Sequence, residues 1–280
     1  EIFSKDIPIA SSIKTKMLSA LSNDKLVPPE IMSDRYMFYR VPELLQSFID
    51  YYEAKNELPK LPYELDVFYK YIDKARIWIK SSHNRYIIAN LAKGGVIKIF
   101  DKNSGKLIFN DCGLIGELTN KKQITTQWID PKNFIKVSDD SFDIKGKFNY
   151  VPSNKYFNIY KFIIFRLILI LIGWNSNWAH RLKGFIRKIL MLGLRPADLI
   201  FELNLKCSDD KIILKKRIKK LSKKLKLVRM ISGGEFFVRY VPQSRYFQSQ
   251  ELDISEDKLT ENELKIINNN ESLNKIIEIS

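Results

Sequence analysis

A chain of 280 residues has room for one large domain or two small ones, and 45% apolar content with 12% aromatics is enough for a packed core, which excludes a disordered chain. The formal net charge of +15 attracts nucleic acid, anionic lipid head groups or acidic glycans without choosing among them. Cys112, Cys207, His83 and His180 are the only cysteines and histidines. They are too few for a disulfide framework and offer little to zinc or iron, so each thiol is expected free and buried, and no cofactor or metal is expected. Calcium held by carboxylates stays open.

The chain opens at Glu1, with no initiator Met and no leader pattern, and reads as a processed form or a fragment lacking its N-terminal part. Residues 1–82 read as a helical segment. Ile13, Met17, Leu18 and Leu21 share one helical face. Pro42 suits a first helical turn before Leu44, Leu45, Phe48, Ile49 and Tyr52. A third helix is expected over Glu64 to Ile79, with Glu64 and Asp66 capping its start. From about Arg85 the apolar period becomes two, giving hairpins over 95–109 and 113–129 and strands over 142–148 and 199–207. Lys211 to Ile218 and Glu235 to Val241 follow as strands. Many short strands argue for an antiparallel β-sandwich over 83–254. The polar tail, 255–280, is expected to hold a short helix at 257–267 and then to fray.

Between Asp143 and Asp198 there is no acidic residue, where composition would place about six. Lys145, Lys147, Lys155, Lys161, Arg166, Arg181, Lys183, Arg187, Lys188 and Arg195 fall in the same stretch. Inside it, Tyr160 to Trp174 is apolar but shorter than the ~20 residues of a spanning helix, and it carries Lys161 and Arg166. After a break at Gly173 to Asn177, Leu182, Phe185, Ile186, Ile189 and Leu190 oppose Arg181, Lys183, Arg187 and Lys188, with Trp174 and Trp178 beside the break. A basic face, an apolar face and interfacial tryptophans are the marks of a monotopic helix. Residues 158–194 are therefore expected as a helical hairpin inserted in the sandwich and lying in an anionic membrane surface. Packing on the protein's own sheet, or on a partner protein, is the alternative.

Lys211 to Arg229 holds ten Lys or Arg and no acid, and although the hairpin signal favours strand to Ile218, its Leu214, Ile218, Leu221, Leu225 and Val228 also fit a helix face, which leaves its period open. It reads either as a solvated edge strand, since lysines keep edges from pairing, or as a surface for phosphate or glycan carboxylate. Arg239, Tyr240, Gln243, Arg245, Tyr246 and Gln248 gather planar polar groups that suit a sugar ring: Arg forks to carboxylates, Gln donates and accepts, Tyr offers a flat face. Asp34, Arg35, Tyr36, Tyr39 and Arg40 form a weaker cluster of the same kind. His83 is a candidate base and His180 a phosphate contact. There is no P-loop, dinucleotide fingerprint, nucleophile elbow or zinc motif.

The helical 40–80 segment, followed by Gly95-Val-Ile-Lys-Ile-Phe-Asp101 and Lys106-Leu-Ile-Phe109, resembles the C-terminal part of heparinase II/III-like polysaccharide-processing proteins. These place an (α/α) toroid before an antiparallel sandwich. The resemblance implies an α+β chain: the end of an α/α toroid, then a β-sandwich, here with the helical hairpin inserted. It implies a lyase-like fragment meeting an acidic glycan. The family's catalytic Tyr, His and Asn match no positions here, so catalytic residues stay unassigned, and the insertion departs from the family pattern. The function expected is a membrane-surface-associated protein that acts on or binds an acidic polysaccharide; a non-enzymatic scaffold or assembly factor in envelope glycan synthesis is the alternative. Nucleic acid is the weaker partner, because the basic residues interleave with aliphatic ones rather than with exposed aromatics.

Overall fold

The computed structural model describes residues 3–23, 34–51, 58–151, 159–172, 177–178, 180–181, 184, 195–208, 211–232 and 257–279. Helix α1 (Pro8–Ser22) starts at a proline, whose fixed φ suits a first turn. Ser12 Oγ donates to Pro59 O at 2.7 Å, tying α1 to the chain that enters the sheets. Helix α2 (Asp34–Ile49) carries Pro42 in its interior rather than in its first turn. The apolar side chains Ile13, Met17 and Leu18 of α1 and Phe38, Leu45 and Phe48 of α2 are exposed.

The third expected helix is not formed. Residues 62–64 make one 3₁₀ turn, and strands β1 (Phe68–Ile72) and β2 (Ile77–Ser81) follow. Both are runs of aromatic and β-branched residues, which fit a pleated surface, and pairing settles a period that the sequence leaves open. They join β3 (Arg85–Asn90), β4 (Val96–Asp101) and β5 (Leu107–Asp111) in an antiparallel meander, ordered β1-β2-β3-β4-β5.

Among the described residues the second sheet has nine strands. They are β6 (Leu114–Leu118), β7 (Gln123–Thr125), β8 (Phe134–Val137), β9 (Ser141–Tyr150), β10 (Pro196–Cys207), β11 (Ile212–Lys220), β12 (Leu227–Ser232), β13 (Asp257–Lys258) and β14 (Ser272–Ile279). Their order is β13-β12-β6-β7-β9-β10-β11-β14, with β8 on β9. Helix α3 (Ile159–Ile172) lies in the chain between β9 and β10, and α4 (Glu261–Asn268) between β13 and β14. The tail therefore does not fray after a helix: Leu273, Ile277 and Ile279 alternate inward, and β14 pairs with β11 along its length.

The chain is mainly β, with few helices, and its two sheets share one core. Trp78 of β2 meets Phe142 of β9 edge-on at 5.4 Å, and Ile87, Ala89, Ile97 and Ile99 join Ile144, Leu199, Leu203 and Leu205 in one buried cluster. The sheets approach closely at Gly95, where φ is +84°. A Cβ there would stand 2.7 Å from Leu203 and 2.9 Å from Ile144 of the facing sheet. Gly95→Ala combines a left-handed backbone with overpacking and is expected to cost about 1–3 kcal/mol in a urea melt. Cys112 and Cys207 are buried and form no disulfide, and burial pushes the Cys207 thiol up to about 12, so it stays protonated and unreactive.

Glu64 accepts the Leu61 N–H at 2.8 Å and pairs with Lys16 of α1 at 2.9 Å. The Leu61 N–H first, then Lys16, hold its carboxyl below the usual carboxylate range. The folded value lies below the unfolded one of about 4.3, so this contribution is complete above that pH and is lost as pH falls through the folded value. Glu64→Gln is expected to flatten the acid side of the stability curve, read as urea midpoints at pH 7, 4 and 3.

Candidate functional site

Two features outside the core carry charge or apolar surface in excess of what folding uses. The first is α3. Ile159, Tyr160, Ile163, Ile164, Leu167, Ile168 and Ile170 are all exposed, over at least half the circumference of the helix and so wider than a single packing stripe. At 14 residues it is about 21 Å long, against a hydrocarbon core of ~30 Å. No helix among the described residues is long and apolar enough to cross a membrane. The ends of the insertion meet: Tyr150 N–H donates to Arg195 O at 2.8 Å where antiparallel β9 and β10 part. The chain therefore leaves the sheet after β9 and rejoins it at β10 at the same end of one strand pair.

Of the residues expected at a membrane, Lys161 lies in the first turn of α3, Arg166 is exposed on it, and Trp178 and Arg181 are exposed beyond it. The Arg181 guanidinium sits 5.7 Å over the Trp178 ring, an amphipathic pair with an apolar body and a cationic tip. Trp174, Lys183, Arg187 and Lys188 lie outside the described residues, as do most of the second expected helix, the strand expected at 235–241 and the whole sugar-reading cluster of Arg239, Tyr240, Gln243, Arg245, Tyr246 and Gln248.

The second feature is the outer face of the large sheet. The basic stretch after Lys211 is a strand to Lys220, but β11 is not an edge: it pairs with β10 on one side and β14 on the other. An interior strand needs no lysines to guard it, so these cations do not serve as edge protection. Register places Lys145, Glu202, Arg217 and Asn274 in one outer row, Lys147, Ile200, Lys219 and Ser272 in the next, and Lys136, Asp143, Asn204, Lys215 and Ile276 on the other side. Glu202 is bracketed by Lys145 at 2.6 Å and Arg217 at 3.6 Å, and the Lys145 hydrogen bond chiefly holds its carboxyl below the ordinary range. Asn204 donates to Asp143 at 2.5 Å. Among the described residues, Lys147, Lys206, Lys215 and Lys219 meet no carboxylate. A depression of about 180 Å³ opens in this face, lined by Lys145, Ile200, Glu202, Arg217 and Lys219. The sequence offered the basic stretch that holds Arg217 and Lys219 as a possible surface for glycan carboxylate, but not Lys145, Ile200 or Glu202, which reach the same site from two other strands.

At the far end of β10 from the insertion, a cleft of about 300 Å³ opens between the sheets. Ile87, Ile212 and Ile279 contribute apolar walls, with Lys80, Arg85, Lys211, Ser82, Asn84 and Ser208 also lining it. Its cations are engaged already: Lys80 with Asp140, Arg85 with Asp101 at 2.8 Å, Lys211 with Glu278 at 3.0 Å. His83, considered above as a base, is an exposed side chain 3.4 Å from Asp66, and His180 is exposed too. The Asp34 to Arg40 cluster lies on α2. No group of three or more potential metal ligands occurs among the described residues.

Comparison with protein-family models, with curated proteins and with solved structures finds no match to this chain.

Proposed function

We propose that the chain is a membrane-surface-associated protein that binds, or acts on, an acidic polysaccharide. The observation that carries the membrane half is the exposure of every described apolar side chain of α3, a helix apolar in sequence on nearly every side, within a stretch of 54 residues (144–197) that holds no acid. A helix apolar on every side is ordinarily buried in protein or lipid, and the described side chains of α3 are not buried in this protein's own core. Its length and its Lys161 and Arg166 favour lying in the interface over spanning. The polysaccharide half is supported by the cationic outer face of the large sheet. The exposed apolar faces of α1 and α2 support reading them as the end of an α/α toroid, as in heparinase II/III-like proteins, since toroid helices cover one another's apolar stripes. Those same faces would equally suit a scaffold or assembly factor whose partner proteins cover them.

Tryptophan fluorescence tests the membrane half. Vesicles containing phosphatidylserine are expected to shift the emission to the blue, because Trp174 and Trp178 enter the interface while Trp78 stays in the core. The Trp174→Phe/Trp178→Phe variant is expected to lose most of that shift. An unchanged spectrum, or an equal shift in the variant, counts against it.

A further inference from the structure

We infer that the depression over Ile200, on the outer face of the large sheet, seats one acidic sugar residue of a polysaccharide chain running along β11; this rests on the acidic-glycan reading above. A strand advances about 3.3 Å per residue, so Lys215, Arg217 and Lys219 present cations at steps of about 6.6 Å along one line. That is a track for a chain bearing regularly spaced carboxylates. At the depression the groups differ in role. Ile200 supplies an apolar floor for the C–H face of a ring. Lys219, which meets no carboxylate among the described residues, is free for the sugar carboxylate. Glu202, kept ionised by Lys145 and Arg217, can accept from sugar hydroxyls.

An anionic bilayer is the other polyanion this face could meet, and the face suits it less. Asp143, Glu202 and Glu278 lie on it and would repel a continuous sheet of negative head groups, whereas a single chain along β11 passes between them. Asn204, Asn274 and Ser272 flank the track with hydroxyl and amide groups that can read sugar hydroxyls and that a bilayer does not call for.

The test is binding of the full chain to polygalacturonate, a carboxylate-only polymer, at fixed salt. Lys215→Glu/Lys219→Glu is expected to weaken binding at least 10-fold, with Lys223→Glu, an exposed control beyond β11, nearly unchanged. Glu202→Ala separates a sugar site from general attraction. It makes the face more positive, so bare electrostatics predicts tighter binding and a sugar-reading site predicts weaker binding. Wild-type binding that survives Lys215→Glu/Lys219→Glu overturns the inference, as does tighter binding by Glu202→Ala. So does a double-variant loss confined to phosphatidylserine vesicles. If the wild-type chain binds no uronate polymer at all, the acidic-glycan reading itself fails, and this site with it.

Discussion

Lys216→Met is expected to destabilise the fold by about 3–5 kcal/mol, a large part of what holds most domains together. Lys216 lies on β11 with its side chain turned inward, 6% exposed, and its ammonium is 2.5 Å from Asp111 of β5, 2% exposed. Ser232 of β12 shares the same ammonium, and Gly113 N–H donates to the other Asp111 oxygen at 2.9 Å. Removing the lysine leaves a carboxylate in the core with no countercharge, and that penalty exceeds anything the pair contributes over apolar substitutes. The compensated change Lys216→Met/Asp111→Asn is therefore expected to recover most of the loss, because the introduced amide carries no charge and its oxygen still accepts from the Gly113 N–H. Urea unfolding of the single and double variants measures this. A single variant within about 1 kcal/mol of wild type would show that water reaches the pair.

Trp78→Ala is expected to cost a similar ~3–5 kcal/mol. The residue is fully buried, packs edge-on against Phe142 at 5.4 Å and Tyr69 at 6.2 Å, and its indole N–H donates to Ser138 O at 2.9 Å. It joins the first sheet to β9 and to the turn before it, so the cavity opens where the sheets meet. Trp78→Phe retains much of the apolar volume and forfeits the hydrogen bond, for an expected loss of about 1–2 kcal/mol beyond any repacking. A Trp78→Ala chain that unfolds at the wild-type urea midpoint would contradict the assignment of Trp78 to the shared core.

These two residues also mark where sequence reading stops. Alternation over 199–207 identifies β10 and its buried face correctly, because Leu199, Phe201, Leu203 and Leu205 are apolar and their neighbours mostly polar. The same rule fails on β11, where Lys216 and Lys220 occupy inward positions. Their partners, Asp111 and the Asn268 carbonyl, are distant in the chain and come close only through the fold. Trp78 falls on an expected helix because a run of five residues fits either period. Pairing with β3, Trp78 opposite Ala89, decides for a strand. The polar setting of β14 hides it in the sequence, and it emerges only because β11 has a free side to pair with. On the functional surfaces, the apolar and basic character of 158–193 is plain from composition, whereas the outer face of the large sheet requires the register of four strands.

The insertion can be removed cleanly in principle, because Tyr150 and Arg195 are hydrogen-bonded neighbours and β9 and β10 are antiparallel. Flotation on phosphatidylserine-containing vesicles, comparing the full chain with one in which a short turn replaces residues 158–193, is the most direct measurement. The membrane-surface account predicts that the full chain rises with the vesicles and that the shortened chain, still folded by its urea midpoint, stays at the bottom. Equal flotation of the two would contradict it.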